Sequence, residues 1–242
     1  MAPTHKQVLA ALQEEIAAHD RPENQHNYQR FHKEKLDQPI GLKAPVLRKI
    51  SNRLYRDVKA MPVDDLLDLC DYLQNCGQRY MRMFAVDWAD RALDRCRPKD
   101  FKRFENWLKK HVDNWGACDH LCCGPIGGLI HHHPELASKT RPWRRSRNRW
   151  IRRAAAVCLI VPVRKESLLD EVLKTADILL EDKDDMVQKG YGWMLKEASN
   201  VYPDEIFAYV MKNKRRMPRT ALRYAIEKLP TARRKEAMKK DW

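Results

Sequence analysis

Trp115 and Asp119 stand four residues apart in the segment VDNWGACD, residues 112–119. On a helix that spacing puts an indole and a carboxylate on one side. The pair makes a small anionic spot with an apolar wall, able to receive a cationic ring or to stabilise positive charge as it develops. An isolated Asp also serves as a cap or an ion-pair partner, and spacing alone leaves both roles open. Asp113 and Asn114 just ahead supply N-cap chemistry for such a helix.

A second large aromatic falls off its own apolar stripe. Between residues 184 and 199, Val187, Gly190, Tyr191, Met194 and Ala198 share a narrow arc at ~100° per residue, whereas Trp193 projects to one side of it. An indole so placed packs on a neighbouring helix pair or contacts a ligand. Lys189, one turn earlier, reads as a surface or phosphate-contacting lysine.

The third candidate is cationic. From 146 to 161, Trp150, Ile151, Ala154, Ala155 and Cys158 share one side, while Arg145, Arg149, Arg152 and Arg153 fall on the other, with Arg141, Arg144 and Arg147 in the same stretch. No acid is interleaved, and guanidinium forks match pairs of phosphate oxygens. The chain carries 47 Lys and Arg against 33 Asp and Glu, a net charge of +14, which favours a polyanionic partner over a protein basic only for solubility.

The elements that must position these residues read as helices. Apolar residues recur at helical spacing almost throughout, and period-two alternation is rare, so the fold class is all-α. Leu66, Leu67, Cys70 and Leu73 make one stripe; Met81, Phe84, Ala85, Trp88 and Ala92 a second; Phe101, Phe104, Leu108 and Val112 a third. Prolines at 45, 62, 98, 134, 142, 162, 203, 218 and 230 punctuate the stripes. The pattern predicts about twelve helices, or about six antiparallel pairs of roughly 40 residues, the size of a HEAT-like unit. Residues 1–242 are expected to form a single α-solenoid domain with a basic concave face. Loose ends are expected at residues 1–5 and after Leu229, where Arg233, Arg234, Lys235, Lys239 and Lys240 crowd together.

No apolar run approaches a membrane span and the N-terminus has no secretory apolar block, so a cytoplasmic or nucleoid-associated protein is expected. Seven cysteines without a CxxC pair fit reduced, mostly buried thiols. Cys118, Cys122 and Cys123 lie near His120 and the His131–His133 run, but adjacent Cys122 and Cys123 diverge on a helix, and neither a metal nor a cofactor is expected.

Taken together, GLKAPVLRKI at 41–50, VDNWGACD at 112–119, SRNRWIRRAAAVCLIVPVRK at 146–165 and MVQKGYGWMLKEAS at 186–199 resemble the AlkD-type DNA alkylation repair glycosylases, which are built from HEAT-like repeats. The resemblance implies a monofunctional alkylpurine DNA glycosylase of base excision repair. It would act without cofactor, hydrolysing the bond between sugar and 7-methylguanine or 3-methyladenine in duplex DNA without flipping the base; the sequence leaves oligomeric state open, with a monomer as the default expectation. By motif, Asp119, Trp115 and Trp193 form the catalytic cleft. Arg153, with Arg152 as the alternative, is the DNA-binding arginine there, and Arg149, Arg145, Lys189 and Arg48 join it on phosphates. The segment 79–86, RYMRMFAV, lacks a Glu that many relatives carry, Gly116-Ala117 replaces bulkier residues, and the histidine run is unfamiliar in the family. A non-catalytic binder of branched or distorted DNA on the same scaffold, and a solenoid for protein partners, are the competing readings.

Overall fold

The computed structural model describes residues 3–30, 35 and 41–240; these form α-helices and short 3-10 turns, with no strand among them. The chain divides into two compact units, Met1–Cys96 and Arg97–Trp242.

The first unit holds α1 (His5–His19), α2 (Pro22–Gln29), α3 (Ala44–Val58), α4 (Val63–Asn75) and α5 (Arg79–Asp90). Thr4 opens α1 with a reciprocal capping box, its hydroxyl accepting from the Gln7 amide while the Gln7 side chain accepts from the Thr4 amide. Helices α4 and α5 pack as a hairpin through a three-residue turn in which Gly77 takes a positive φ of 82°. Both predicted stripes of this unit are core: Leu66, Leu67, Cys70, Leu73, Met81, Phe84, Ala85, Trp88 and Ala92 are all buried. The Trp88 indole donates to Ser51 Oγ at 2.9 Å, and Ser51 donates in turn to Asp87, tying α5 to α3.

The start of α3 is fixed by one side chain. Tyr80 Oη accepts from the Gly41 and Leu42 amides at 2.7 and 3.1 Å and donates to Asp20 Oδ1 at 2.7 Å. A side chain at 41 would run into Asp20 and the Arg21 carbonyl, so only glycine fits there.

The second unit comprises α6 (Phe101–His111), α7 (Trp115–Leu121), α8 (Gly127–His132), α9 (Arg149–Val157), α10 (Ile160–Arg164), α11 (Leu169–Leu179), α12 (Asp185–Ala198), α13 (Pro203–Asn213), α14 (Arg219–Ala225) and α15 (Thr231–Met238). Helices α7, α9, α12 and α14 form one row, each packed on the next, as expected when HEAT-like pairs stack. Two glycines on opposite sides of α12 permit the close approach. A Cβ at Gly192 would meet Tyr224 Cβ at 2.8 Å and the Ala221 carbonyl oxygen at 2.9 Å on α14; one at Gly190 would meet Arg153 Cγ at 3.0 Å on α9.

The described residues form fifteen α-helices rather than about twelve, because breakers divide several expected long ones. Gly124-Pro125 kinks the chain between α7 and α8, and residues 134–145 wind as a 3-10 segment. The basic tail expected to be loose after Leu229 instead forms α15, with Ala237 buried and Lys214 Nζ donating to the Lys239 carbonyl at 3.4 Å. Of the expected loose ends, residues 1–2 and 241–242 lie outside the described residues.

Candidate functional site

Asn114 starts α7, its side-chain oxygen accepting from the Ala117 amide at 3.0 Å, and this cap fixes the direction in which Trp115 and Asp119 leave the helix. Cys118 and Leu121 face the core, while Trp115 and Asp119 are half-buried on another side. The off-stripe Trp193 of α12 is likewise half-buried, whereas Val187, Gly190, Tyr191, Met194 and Ala198 are buried as the arc predicts.

Arg153 joins α7 to α12. Its Nε donates to Asp119 Oδ1 and its Nη2 to Asp119 Oδ2, both at 2.8 Å, and its Nη1 donates to the Met186 carbonyl at 2.5 Å. The wheel places this arginine on the outward side of α9; the structure buries it to 5 % exposure, because Gly190 across the interface leaves room for its stem. Ile151, on the predicted core side, is only half-buried. Of the two side chains Asp119 keeps the greater exposure, 18 % against 6 % for Arg153, so what solvent access the pair has lies at its negative end.

Burial pushes the Asp119 carboxyl above the ordinary carboxylate range, and the Arg153 hydrogen bonds and charge oppose that rise. Cys123, one turn past Asp119, has its thiol pushed up to about 12 by burial and by the Asp119 charge, and Cys122 and Cys158 beneath it are raised as well. None of the seven cysteines forms a disulfide. Among the described residues no three His, Cys, Asp or Glu side chains gather as a metal site, and the His131 and His132 rings lie 5.6 Å apart.

The arginine-rich stretch is less bare than its sequence. Arg152 donates through Nε to Asp182 at 2.6 Å and through Nη2 at 3.3 Å, and Arg149 Nε lies 3.1 Å from Asp184 while its guanidinium covers the Trp150 ring. Arg144 is buried against Glu171, which also takes Arg141. Lys189 pairs with Asp185 at 3.4 Å. Acids missing from the local sequence therefore arrive from the adjoining helices, and of the predicted phosphate ligands in this unit Arg145, like its neighbour Arg147, stays exposed. In the first unit Arg48 lies with Lys49, Asn52, Arg53 and Arg56 on the exposed face of α3, along a groove of about 590 Å³. Arg53 is paired with Glu15.

One residue at this site was not among those predicted. Glu197 Oε1 accepts the Trp193 indole N–H at 2.9 Å and its Oε2 accepts Arg164 Nε at 2.9 Å. The signal was available, since Trp193 and Glu197 repeat the four-residue spacing of Trp115 and Asp119.

A carboxylate held by a buried guanidinium, set in a row of stacked helices with a half-buried indole on the third of them, places a polar candidate site on a helical-repeat fold. The chain belongs to the family of DNA alkylation repair enzymes, whose model matches residues 12–229. No curated protein matches it in sequence. Among solved structures, a predicted DNA alkylation repair enzyme from Enterococcus faecalis is similar at TM-score 0.76 and 18 % identity, covering 88 % of this chain and 98 % of that one. The smu.31 protein of Streptococcus mutans UA159 follows at TM-score 0.55 and 18 % identity, over 76 % and 100 % of the two chains. The alkylpurine DNA glycosylase AlkC of Pseudomonas fluorescens, bound to DNA containing an abasic site analog, is similar at TM-score 0.52 and 14 % identity, over 97 % of this chain and 66 % of that one. No helix among the described residues is long and apolar enough to cross a membrane.

Proposed function

We propose that the protein is a DNA glycosylase that releases cationic alkylated purines, 7-methylguanine and 3-methyladenine, from duplex DNA by hydrolysis of the bond to the sugar. The observation that carries this reading is the partly exposed carboxylate of Asp119, fixed by the bidentate Arg153 bond, in a chain of the DNA alkylation repair family.

A purine alkylated at a ring nitrogen already carries positive charge and leaves without a general acid. As its bond to the sugar lengthens, positive charge grows on the deoxyribose. Asp119 faces that charge; a carboxylate already oriented and partly stripped of water stabilises it better than bulk solvent does. The same oxygens can orient the attacking water. Trp115 and Trp193 flank the damaged nucleotide, exclude water and offer their ring faces to a cation.

Arg153 acts here as a positioning residue. Three of its donors are spent on Asp119 and Met186, which leaves phosphate binding to cations that face solvent: Arg145 in the second unit and Arg48 in the first, with Arg149, Arg152 and Lys189 held against their acidic neighbours until a phosphate competes. The enzyme so described acts on a nucleotide that keeps its place in the duplex instead of being flipped into a deep pocket.

The test is Asp119→Asn, which keeps shape while removing the charge. Base release from methylated duplex DNA is expected to fall by more than about tenfold with DNA affinity nearly unchanged. Undiminished release by the variant refutes the chemistry. If the native protein binds the duplex but releases no base, the scaffold serves as a non-catalytic DNA binder.

A further inference from the structure

The indole of Trp193 is held by an acid that the proposed chemistry does not use. Glu197 lies one turn along α12 and accepts the Trp193 Nε1–H at 2.9 Å. Its other oxygen accepts Arg164 Nε at 2.9 Å, from the last turn of α10, and the side-chain Nδ2 of Asn200 at 3.4 Å. Burial would raise the Glu197 carboxyl, but the Arg164 and Trp193 bonds outweigh it and hold the carboxyl below its usual range, so Glu197 is ionised at neutral pH. Its side chain is only 13 % exposed. Arg164 and Asp119 both act electrostatically on the thiol of Cys123, one turn past Asp119.

Two consequences follow from elementary chemistry. An indole whose N–H is bonded to a fixed carboxylate has one ring orientation instead of several, since rotation about its side-chain bonds breaks the hydrogen bond. An N–H donor bonded to a carboxylate also pushes electron density into its ring, and a richer ring face attracts a cation more strongly.

We propose that Glu197, buttressed by Arg164, is a positioning residue that fixes the Trp193 indole and makes its face selective for a positively charged nucleotide over a neutral one of the same shape. The proposal rests on the reading that Trp193 faces the damaged nucleotide.

Two measurements on the full-length protein test it separately from that reading. In the protein without DNA, labelled at the indole nitrogens, Glu197→Gln should move the Trp193 Nε1–H resonance upfield, because an amide oxygen is a weaker acceptor than a carboxylate. A resonance that stays in place overturns the link whatever the enzyme does. The second measurement compares affinity for duplexes holding a cationic pyrrolidine or a neutral tetrahydrofuran in place of the damaged nucleoside. The native protein should prefer the cationic duplex, and Glu197→Gln should lose about threefold or more of that preference. Trp193→Phe should lose it too, and adding Glu197→Gln to Trp193→Phe should cost nothing further, as expected if the acid acts through the indole. Losses that multiply would mean that Glu197 acts only by its charge, and would overturn the proposal. Should Trp193→Phe keep the full preference, the placement of Trp193 against the nucleotide fails, while the indole resonance still reports the Glu197 bond.

Discussion

Removing Arg153 separates its two candidate roles. As a positioning residue it is 5 % exposed and donates three hydrogen bonds, two of them to a carboxylate that is itself largely buried. Arg153→Ala strands Asp119. Breaking a buried pair by removing one partner costs about 3–5 kcal/mol, and the residual exposure of Asp119 puts this case near the lower end, about 3 kcal/mol in urea unfolding. Loss of the fixed carboxylate should lower base release about 100-fold in single-turnover assays. Because Arg153 is what opposes the burial-driven rise of the Asp119 carboxyl, the acid limb of the rate profile should move to higher pH in the variant. Its sign follows from the raised value: Asp119 works only when ionised, so activity is lost as pH falls through a point above the ordinary 3.8. The double replacement Asp119→Leu with Arg153→Met removes both charges and should restore stability to within about 1 kcal/mol of native while leaving base release abolished. A different result would refute this account: Arg153→Ala with native stability and a salt dependence of DNA binding shallower by about one charge would make Arg153 a phosphate ligand.

Two further outcomes are expected. Replacing the exposed Arg145 and Arg147 together by Ala should weaken duplex binding and reduce the slope of log affinity against log salt by about 0.9 per lost phosphate contact; an unchanged slope would move the phosphate track elsewhere. The Glu171 carboxyl is raised by burial but lowered more by Arg141 and Arg144, and ends below the ordinary 4.5, so it adds stability above that pH and loses it as pH falls. Glu171→Gln should therefore flatten the decline in stability between about pH 5 and 3, and urea midpoints across that range check it.

Much of this molecule can be read from the order of its residues. The stripes around Leu66 and Met81 are core because a 3.6-residue period is a property of one helix and needs no knowledge of its neighbours. The Asn114 cap is legible for the same reason. The fate of the arginines is not, since it depends on partners far along the chain: Asp119 is 34 residues before Arg153, and Asp182 is 30 after Arg152. A wheel that counts only local acids sees a bare cationic face where the fold builds a row of ion pairs. Gly190 held a clue, because a glycine inside a predicted core arc marks a place where something large comes close.

The sulfur chemistry beneath the site has a bearing on survival. Agents that alkylate DNA also attack thiolates, which are far better nucleophiles than purine nitrogens, and burial that pushes the Cys123 thiol up to about 12 keeps it protonated at neutral pH. With Cys123 held in that state and Cys122 and Cys158 sealed below it, the protein can operate amid the electrophiles whose damage it would mend, its own interior chemically quiet.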